Sequence, residues 1–426
     1  RHRRTIHLWF PARVRFSVLN AWYNHVMSGD SHDGDVQYDP FSDAVMADPT
    51  TAYRELLAQC PVPHYDSFDP PFWSLTRHDD IAAAVRDTTT WSSLHGQGPR
   101  HTSQGGLFTD PPEHTAFRRL LQTAFTPRAV AELEPFIANL ARELVDAVAA
   151  DGRGDLHTAV AFPLPTITIA TMMGVPPEDR DDFKRWSDAS VARLGSQDPS
   201  AHDEDVAALY RYLAAHIDDR RSTIAAGGDP PNDLVTGLVR AEENGATLTP
   251  QEILGSCVQL LVGGNETTTS LITNALWRLM DRPELMAEVQ GNLDLVDALI
   301  EESLRYDAPV LGLFRTTTCP VSMHGVDIPE GAKVQMLFGA ANHDPAVFNT
   351  PEEFRLDRDP SEARRHLAFG AGPHFCLGAS LARLEARHAL RAILETLPNL
   401  RADGPSERIT PFLLWGRRTL PAAWDV

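Results

Sequence analysis

The sequence predicts a mainly α protein with a smaller β part, an α+β fold, and two observations predict it. From about Glu113 to Arg282, apolar residues recur at three- and four-residue spacing, as in AVAELEPFIANLARELVDAVAA at 129–150. After Pro309 the pattern changes to short strand-like runs punctuated by turn dipeptides. A chain of 426 residues, 42% hydrophobic and 23% charged, has an ordinary globular composition and the length to bury a cofactor.

Taken in order, residues 1–29 carry five arginines (Arg1, Arg3, Arg4, Arg13, Arg15) and no acid. That is the composition of an organelle transit segment. The plainer readings are a disordered tail, or sequence upstream of a start at Met27. We therefore set 1–37 apart as an extension and expect one domain over 38–426. Residues 30–50 are acidic and turn-rich, so they read as surface. From Pro49 to Arg100 helical and strand-like pieces mix (TAYRELLAQC, FWSLTRH, DDIAAAVRD), and Ser92–Gly106, rich in Ser, Gly, Gln and His, reads as a mobile loop. Polar breaks near 195–204 and 226–232 separate helices. Past Pro309 come VLGLFRTTT and VSMHGVDIPEGAKVQMLFGAAN, the second a hairpin with turns at His324-Gly325 and Glu330-Gly331. A helix follows Gly378, and ITPFLLWGRRTLPAAW reads as strands.

Bulk chemistry excludes several functions. Lys plus Arg total 38 against 58 Asp plus Glu, a formal charge of −20, which argues against nucleic acid as the main partner. Four scattered cysteines (Cys60, Cys257, Cys319, Cys376) without a CxxC pair fit a reduced, cytoplasmic protein. No run approaches the ~20 apolar residues of a membrane span.

Two stretches break local rules. The segment from Thr249 to Pro283 has a helix start, with Thr249 as N-cap, Pro250 in the first turn and Glu252 closing a capping box, and Pro283 as its stop. About thirty residues make a helix of roughly 45 Å. Yet Gly263 and Gly264 sit at its centre, each costing about 1 kcal/mol relative to Ala, followed by Asn265, Glu266 and three threonines. Local rules that fail together mark function: glycines admit something bulky to the backbone, and a carboxyl beside a hydroxyl passes protons. The plain alternative is a kinked helix with solvated threonines.

The second stretch is FGAGPHFCLG, 369–378. Zinc would need about three further ligands at set spacing, and only His374 is near Cys376. One thiolate on a planar cofactor fits better, because a haem iron is held by a single Cys that pushes electron density toward bound O₂. Gly370 and Gly372 permit positive φ, Pro373 stiffens the turn, Phe369 shields the sulfur, and the helix near Leu377 points its positive end at the thiolate.

With these residues in view the chain resembles the cytochrome P-450 superfamily, haem-thiolate monooxygenases, of the soluble bacterial type. The cysteine signature Phe-x-x-Gly-x-(His/Arg)-x-Cys-x-Gly is met by Phe369, Gly372, His374, Cys376 and Gly378. The (Ala/Gly)-Gly-x-(Asp/Glu)-Thr motif is met by Gly263 to Thr267, and Glu-x-x-Arg by Glu302 and Arg305. The likeness spans residue 38 to the C-terminus.

The resemblance implies haem b (iron protoporphyrin IX) lying against the long central helix, with Cys376 as metal ligand. It implies a structural cluster of Glu302, Arg305 and Arg358, and partners for the haem propionates at His114, Arg118, Arg315 and His366, with His374 assisting. Glu266 would relay protons and Thr267 would bond the oxygen being activated. His343 stands where the family often has Arg. Substrate walls are expected in the 92–107 loop, at 191–194, at Leu261 and Val262, at 310–314 and at 412–414. The activity implied is insertion of one oxygen atom from O₂ into a hydrophobic small molecule: a terpenoid, steroid, fatty acyl or polyketide-like compound. Electrons would come from a ferredoxin and its reductase, steered by Arg364, Arg365, Arg383 and Arg387, to a monomeric enzyme. A peroxygenase using H₂O₂ and a haem-binding sensor without turnover are the rival readings.

Overall fold

The computed structural model describes residues 38–102, 105–195, 198–231, 233–243 and 250–426. The proposed extension 1–37 and the Thr249 cap lie outside the described residues. From Tyr38 onward the chain forms one compact unit.

The helices that build the site are α1 (Glu113–Gln122), α2 (Pro127–Ala149), α3 (Pro163–Met173), α4 (Pro250–Met280), α5 (Val296–Tyr306) and α6 (Ala379–Thr396). Thr126 caps α2 by accepting from the Ala129 N–H, with Pro127 in the first turn, where its missing N–H costs nothing. Gly174 ends α3 in the left-handed conformation (φ 70°), which suits glycine. α4 runs unbroken through Gly263–Gly264 for 31 residues, about 46 Å at ~1.5 Å each.

Helices α2 to α6 share one core, while Phe117 and Leu121 of α1 belong to a second. Ile137 and Ala141 of α2, Leu271, Leu276 and Leu279 of α4, and Ala386, Leu390 and Ile393 of α6 are all fully buried in it. Each buried Leu or Ile contributes on the order of 1.5–3 kcal/mol. α4 is thereby held between α3 and α6, with only its central face left to the cavity described below.

The β part is small. β1 (His64–Tyr65), β2 (Phe72–Leu75), β3 (Trp91–Ser92), β4 (Arg153–Asp155), β5 (Leu313–Thr317), β6 (Val321–Met323), β7 (Val326–Ile328), β8 (Lys333–Met336), β9 (Arg401–Ala402) and β10 (Pro421–Ala423) form three sheets. The largest has the order β1-β2-β8-β5-β3, with β2 and β8 parallel and the other pairs antiparallel. β4-β10-β9 make a second sheet and β6-β7 the expected hairpin. Its turn is His324-Gly325, at φ 51° and 81°, and positive φ at both positions matches the twist of a two-residue turn. The C-terminal run is less regular than expected. Only Pro421–Ala423 is a strand, with isolated bridges at Leu414 and Arg417.

The stretch expected to be a mobile loop is irregular, and it is tied down. The Lys333 ammonium donates to the carbonyls of His95 (2.8 Å) and Gly96 (3.0 Å), and the Phe314 N–H donates to the carbonyl of Gln97 (2.9 Å). Residues 103 and 104 of that stretch lie outside the described residues.

Candidate active site

The cysteine loop is shaped by its glycines. Gly370 and Gly372 have φ of 66° and 68°, and a Cβ on Gly372 would stand 2.7 Å from the Val85 carbonyl oxygen, so only glycine fits there. The Cys376 N–H closes the loop on the Phe369 carbonyl at 2.9 Å. The backbone hydrogen bond to the sulfur comes from the Gly378 N–H. Burial raises the thiol pKa; that N–H, Arg118 and Arg383 pull it down. Metal ligation would remove the proton outright. The guanidinium of Arg383 lies 4.5 Å over the Phe369 ring, holding that ring beside the loop.

Cys376 lines a cavity of about 260 Å³, and the flawed centre of α4 lines it too: Gly263, Gly264, Thr267 and Thr268. The Thr267 hydroxyl donates to the Gly263 carbonyl at 2.6 Å, so Gly263 and Thr267 form one ridge. Glu266, next in sequence, is buried and lies off the cavity wall.

The polar end of the cavity gathers His114, Arg118, Arg315 and His374. The two imidazole centroids are 4.0 Å apart. Both ring nitrogens of His114 and Nε2 of His374 are buried without a hydrogen-bond partner among the described residues. Burial first, then the neighbouring guanidinium groups, push His114 down to about 4 and His374 to about 2. Arg315 is buried, its pKa lowered to about 10 by desolvation, and its Nη1 donates to the Phe314 carbonyl at 2.8 Å. Among the described residues it has no ion pair. Buried cations and orphaned imidazoles in one corner call for an anion. Arg118 donates to the Phe375 carbonyl at 2.6 Å, at the rim.

His366 is a correction. It is absent from the cavity wall; its Nε2 pairs with Glu301 Oε2 at 3.2 Å and its Nδ1 accepts from the Ala368 N–H. Glu301 in turn takes two bonds from Arg383, at 2.5 and 3.0 Å. His366 is thus engaged behind the cysteine loop, where a carboxylate claims it before any propionate.

Also behind the loop, Glu302 takes two bonds from Arg305 (2.7 and 2.9 Å) and two from Arg358 (3.1 and 3.4 Å), with all three side chains buried. Arg305 further donates to the carbonyls of Asn342, Pro351 and Glu353, which stitches α5 to the segment leading into the cysteine loop. His343 is buried, pushed down to about 4 by desolvation, and bonds the Gly339 carbonyl at 2.9 Å. An imidazole on a carbonyl stands where the family often has an arginine.

Of the expected substrate walls, Gln97, Leu107, Val310 and Leu313 line the cavity. Leu261 packs instead with Leu213 and Ile217 in a separate core, and Phe412 stacks among Phe41, Phe68 and Phe72. The side chains of Val191, Leu194 and Val262 lie outside the described residues. Two polar lining residues were missed from sequence. Glu385, on α6, is buried and its pKa is raised to about 8 by desolvation, against hydrogen bonds with Thr168 and Thr268. Gln259, one turn before Gly263, had only its helical phase as a signal.

The residues fit a haem. A Cβ on Gly263 or on Gly378 would meet no protein atom within 4 Å, so both glycines border open cavity space, one on each side. The single thiol, the flat glycine walls and the anion-seeking corner match one thiolate-ligated macrocycle with two propionates. Among the described residues no group of three or more His, Cys, Asp or Glu side chains is placed to hold a metal ion by itself.

A cysteine facing a glycine-thinned helix across such a cavity defines a haem-thiolate protein. The cytochrome P450 family model matches residues 75–398, and the chain belongs to that family as a cytochrome P450 monooxygenase with haem b as its cofactor. It is 36% identical over 393 residues to cytochrome P450 monooxygenase PikC of Streptomyces venezuelae, covering 89% of this chain and 91% of the relative. It is 36% identical over 403 residues to mycinamicin IV hydroxylase/epoxidase of Micromonospora griseorubida, covering 90% and 98%. Among solved structures, cytochrome P450 CREJ in complex with (4-ethylphenyl) dihydrogen phosphate superposes with a TM-score of 0.84 at 32% identity, covering 91% of this chain and 99% of that one. No helix among the described residues is long and apolar enough to cross a membrane.

Proposed function

We propose that this monooxygenase inserts one oxygen atom into a C–H or C=C bond of a largely apolar small molecule, using electrons from a ferredoxin. The observation that carries the proposal is the Cys376 sulfur facing Gly263 and Thr267 across an apolar-walled cavity. Haem, when bound, supplies the oxygen activation and the electron transfer.

The chain's own groups do the rest. Cys376 would hold the iron. Arg315, Arg118, His114 and His374 would take the propionates, which would give the two desolvated guanidinium groups a counter-charge and the orphaned imidazoles a hydrogen-bond partner. Leu107, Val310 and Leu313 exclude water and seat the substrate. The Thr267 hydroxyl, now donating to the Gly263 carbonyl, is a proton-bearing group of α4 on the cavity wall, and Glu266 behind it is the proposed source that refills it. A peroxide-driven enzyme would not need that pair.

The donor would dock beside Phe375, which is 43% exposed next to the cysteine. Of the four arginines expected to steer it, Arg383 and Arg387 already pair with Glu301 and Asp297. Arg364 and Arg365, with Arg118 at the rim, are the better candidates. We further propose a cytoplasmic monomer with residues 1–37 outside the P450 domain.

The test is spectroscopic and then catalytic. Purified protein should give the red-shifted carbon monoxide band of thiolate-ligated ferrous haem, lost in Cys376→Ser. Turnover should follow a reduced ferredoxin and fall with salt. Activity with H₂O₂ alone, and none with ferredoxin, would point to the peroxygenase.

A further inference from the structure

The polar groups of the cavity wall are almost all accounted for. His114, Arg118, Arg315 and His374 face the propionate corner, Thr267 bonds Gly263, and Glu385 and Thr268 bond each other. Two neutral amides remain: Gln97, from the loop pinned by Lys333, and Gln259, on α4. The Gln259 Oε1 is buried and has no hydrogen-bond partner among the described residues. Buried polar atoms are seldom left unpaired, and an orphan costs a full desolvation penalty. Gln259, Gly263 and Thr267 are spaced i, i+4, i+8, so they share the face of α4 that looks into the cavity.

We infer that Gln259 is a specificity-determining residue, reading a neutral hydrogen-bonding group, a hydroxyl or an amide N–H, on an otherwise apolar substrate. The inference rests on the monooxygenase reading of the cavity and narrows its substrate class. An amide side chain complements a neutral partner; a carboxylate would find no cation here, since those of the cavity wall are claimed by the haem corner. With ~1.5 Å of rise per residue, Gln259 stands roughly 6 Å along the helix from Gly263 and roughly 12 Å from Thr267. The substrate's polar group therefore lies about 6–12 Å from the carbon that is oxidised.

Spin-state titration of the holoprotein with matched probes tests this: testosterone against androst-4-en-3-one, 1-dodecanol against dodecane, and dodecanoate as the charged arm. At least one hydroxylated probe should bind about tenfold tighter than its deoxy partner, and dodecanoate no tighter than dodecanol. Gln259→Leu should erase that advantage by weakening the alcohol alone, and Gln259→Glu, which keeps an acceptor, should retain it. Gln259→Met replaces the Leu variant if that variant lacks the carbon monoxide band. The inference is overturned if no hydroxylated probe outbinds its partner in the parent protein, if the advantage survives Gln259→Leu, or if dodecanoate binds best. A parent lacking the carbon monoxide band would instead sink the haem-thiolate reading itself.

Discussion

The Thr267 hydroxyl donates to the Gly263 carbonyl over 2.6 Å, and both residues stand on the wall that faces Cys376. The carbonyl fixes the hydroxyl's proton on α4 until something in the cavity competes for it. Thr267→Ala removes that proton without changing the apolar walls. Substrate-induced spin shifts should persist, while product formed per NADH consumed falls by about tenfold or more and peroxide rises. Full coupling in the mutant would show that Thr267 is not on the proton path.

Arg315 is a buried guanidinium that we propose pairs with a haem propionate. Arg315→Leu should speed haem transfer to apomyoglobin by roughly ten- to a hundredfold, the worth of one or two charge-assisted bonds. His366→Leu should leave that rate nearly unchanged, because His366 faces Glu301 and not the cavity.

Glu302 balances two buried arginines. Glu302→Ala would strand both charges, which costs about 3–5 kcal/mol. Urea unfolding should show the loss, with haem release preceding global unfolding because the triad backs the cysteine loop.

Glu301 gives a pH signature. Burial would raise its pKa, but bonds from His366 and Arg383 overcome this and hold it at about 2. A folded value below the unfolded one, about 4.3, stabilises the protein above that pH, and the benefit is lost as pH falls toward 2. Glu301→Gln should cost on the order of 2–3 kcal/mol at pH 7 and flatten stability between pH 4.5 and 2.

Glu385 has the opposite sign. Burial raises its pKa to about 8, so it is protonated at neutral pH. The folded state then holds a proton that the unfolded state releases, and stability declines as pH rises from about 4.3 to 8. Glu385→Gln keeps a neutral side chain and should remove that part of the decline, read as a midpoint of thermal unfolding nearly constant from pH 6 to 8.5.

Much of this was legible in advance where a residue's type is dictated by backbone or charge. Gly370 and Gly372 announced positive φ, His324-Gly325 a two-residue turn, and the Gly263–Gly264 pair a thinned helix face. Their local chemistry admits few alternatives. His366 was misread because both a propionate and a carboxylate suit an imidazole, and only the packing of the segment ahead of the cysteine loop against α5 brings Glu301 within reach. Leu261 and Phe412 were misread because an apolar side chain suits core and cavity equally. Glu385 sits in an ordinary amphipathic helix, ASLARLEARHAL, where a glutamate normally means solvent. Its burial follows from α3 and α4 packing over it, a tertiary fact that no local pattern carries.

The ammonium of Lys333 holds the carbonyls of His95 and Gly96 from strand β8, whose register partner beside Arg315 is Thr316 on β5. One strand pair therefore carries both the guanidinium proposed as the anion anchor and the latch of the segment that presents Gln97. Moving that segment off β8 means breaking two bonds to an ammonium. One wall of the cavity and the cation at its polar end are mounted on the same frame.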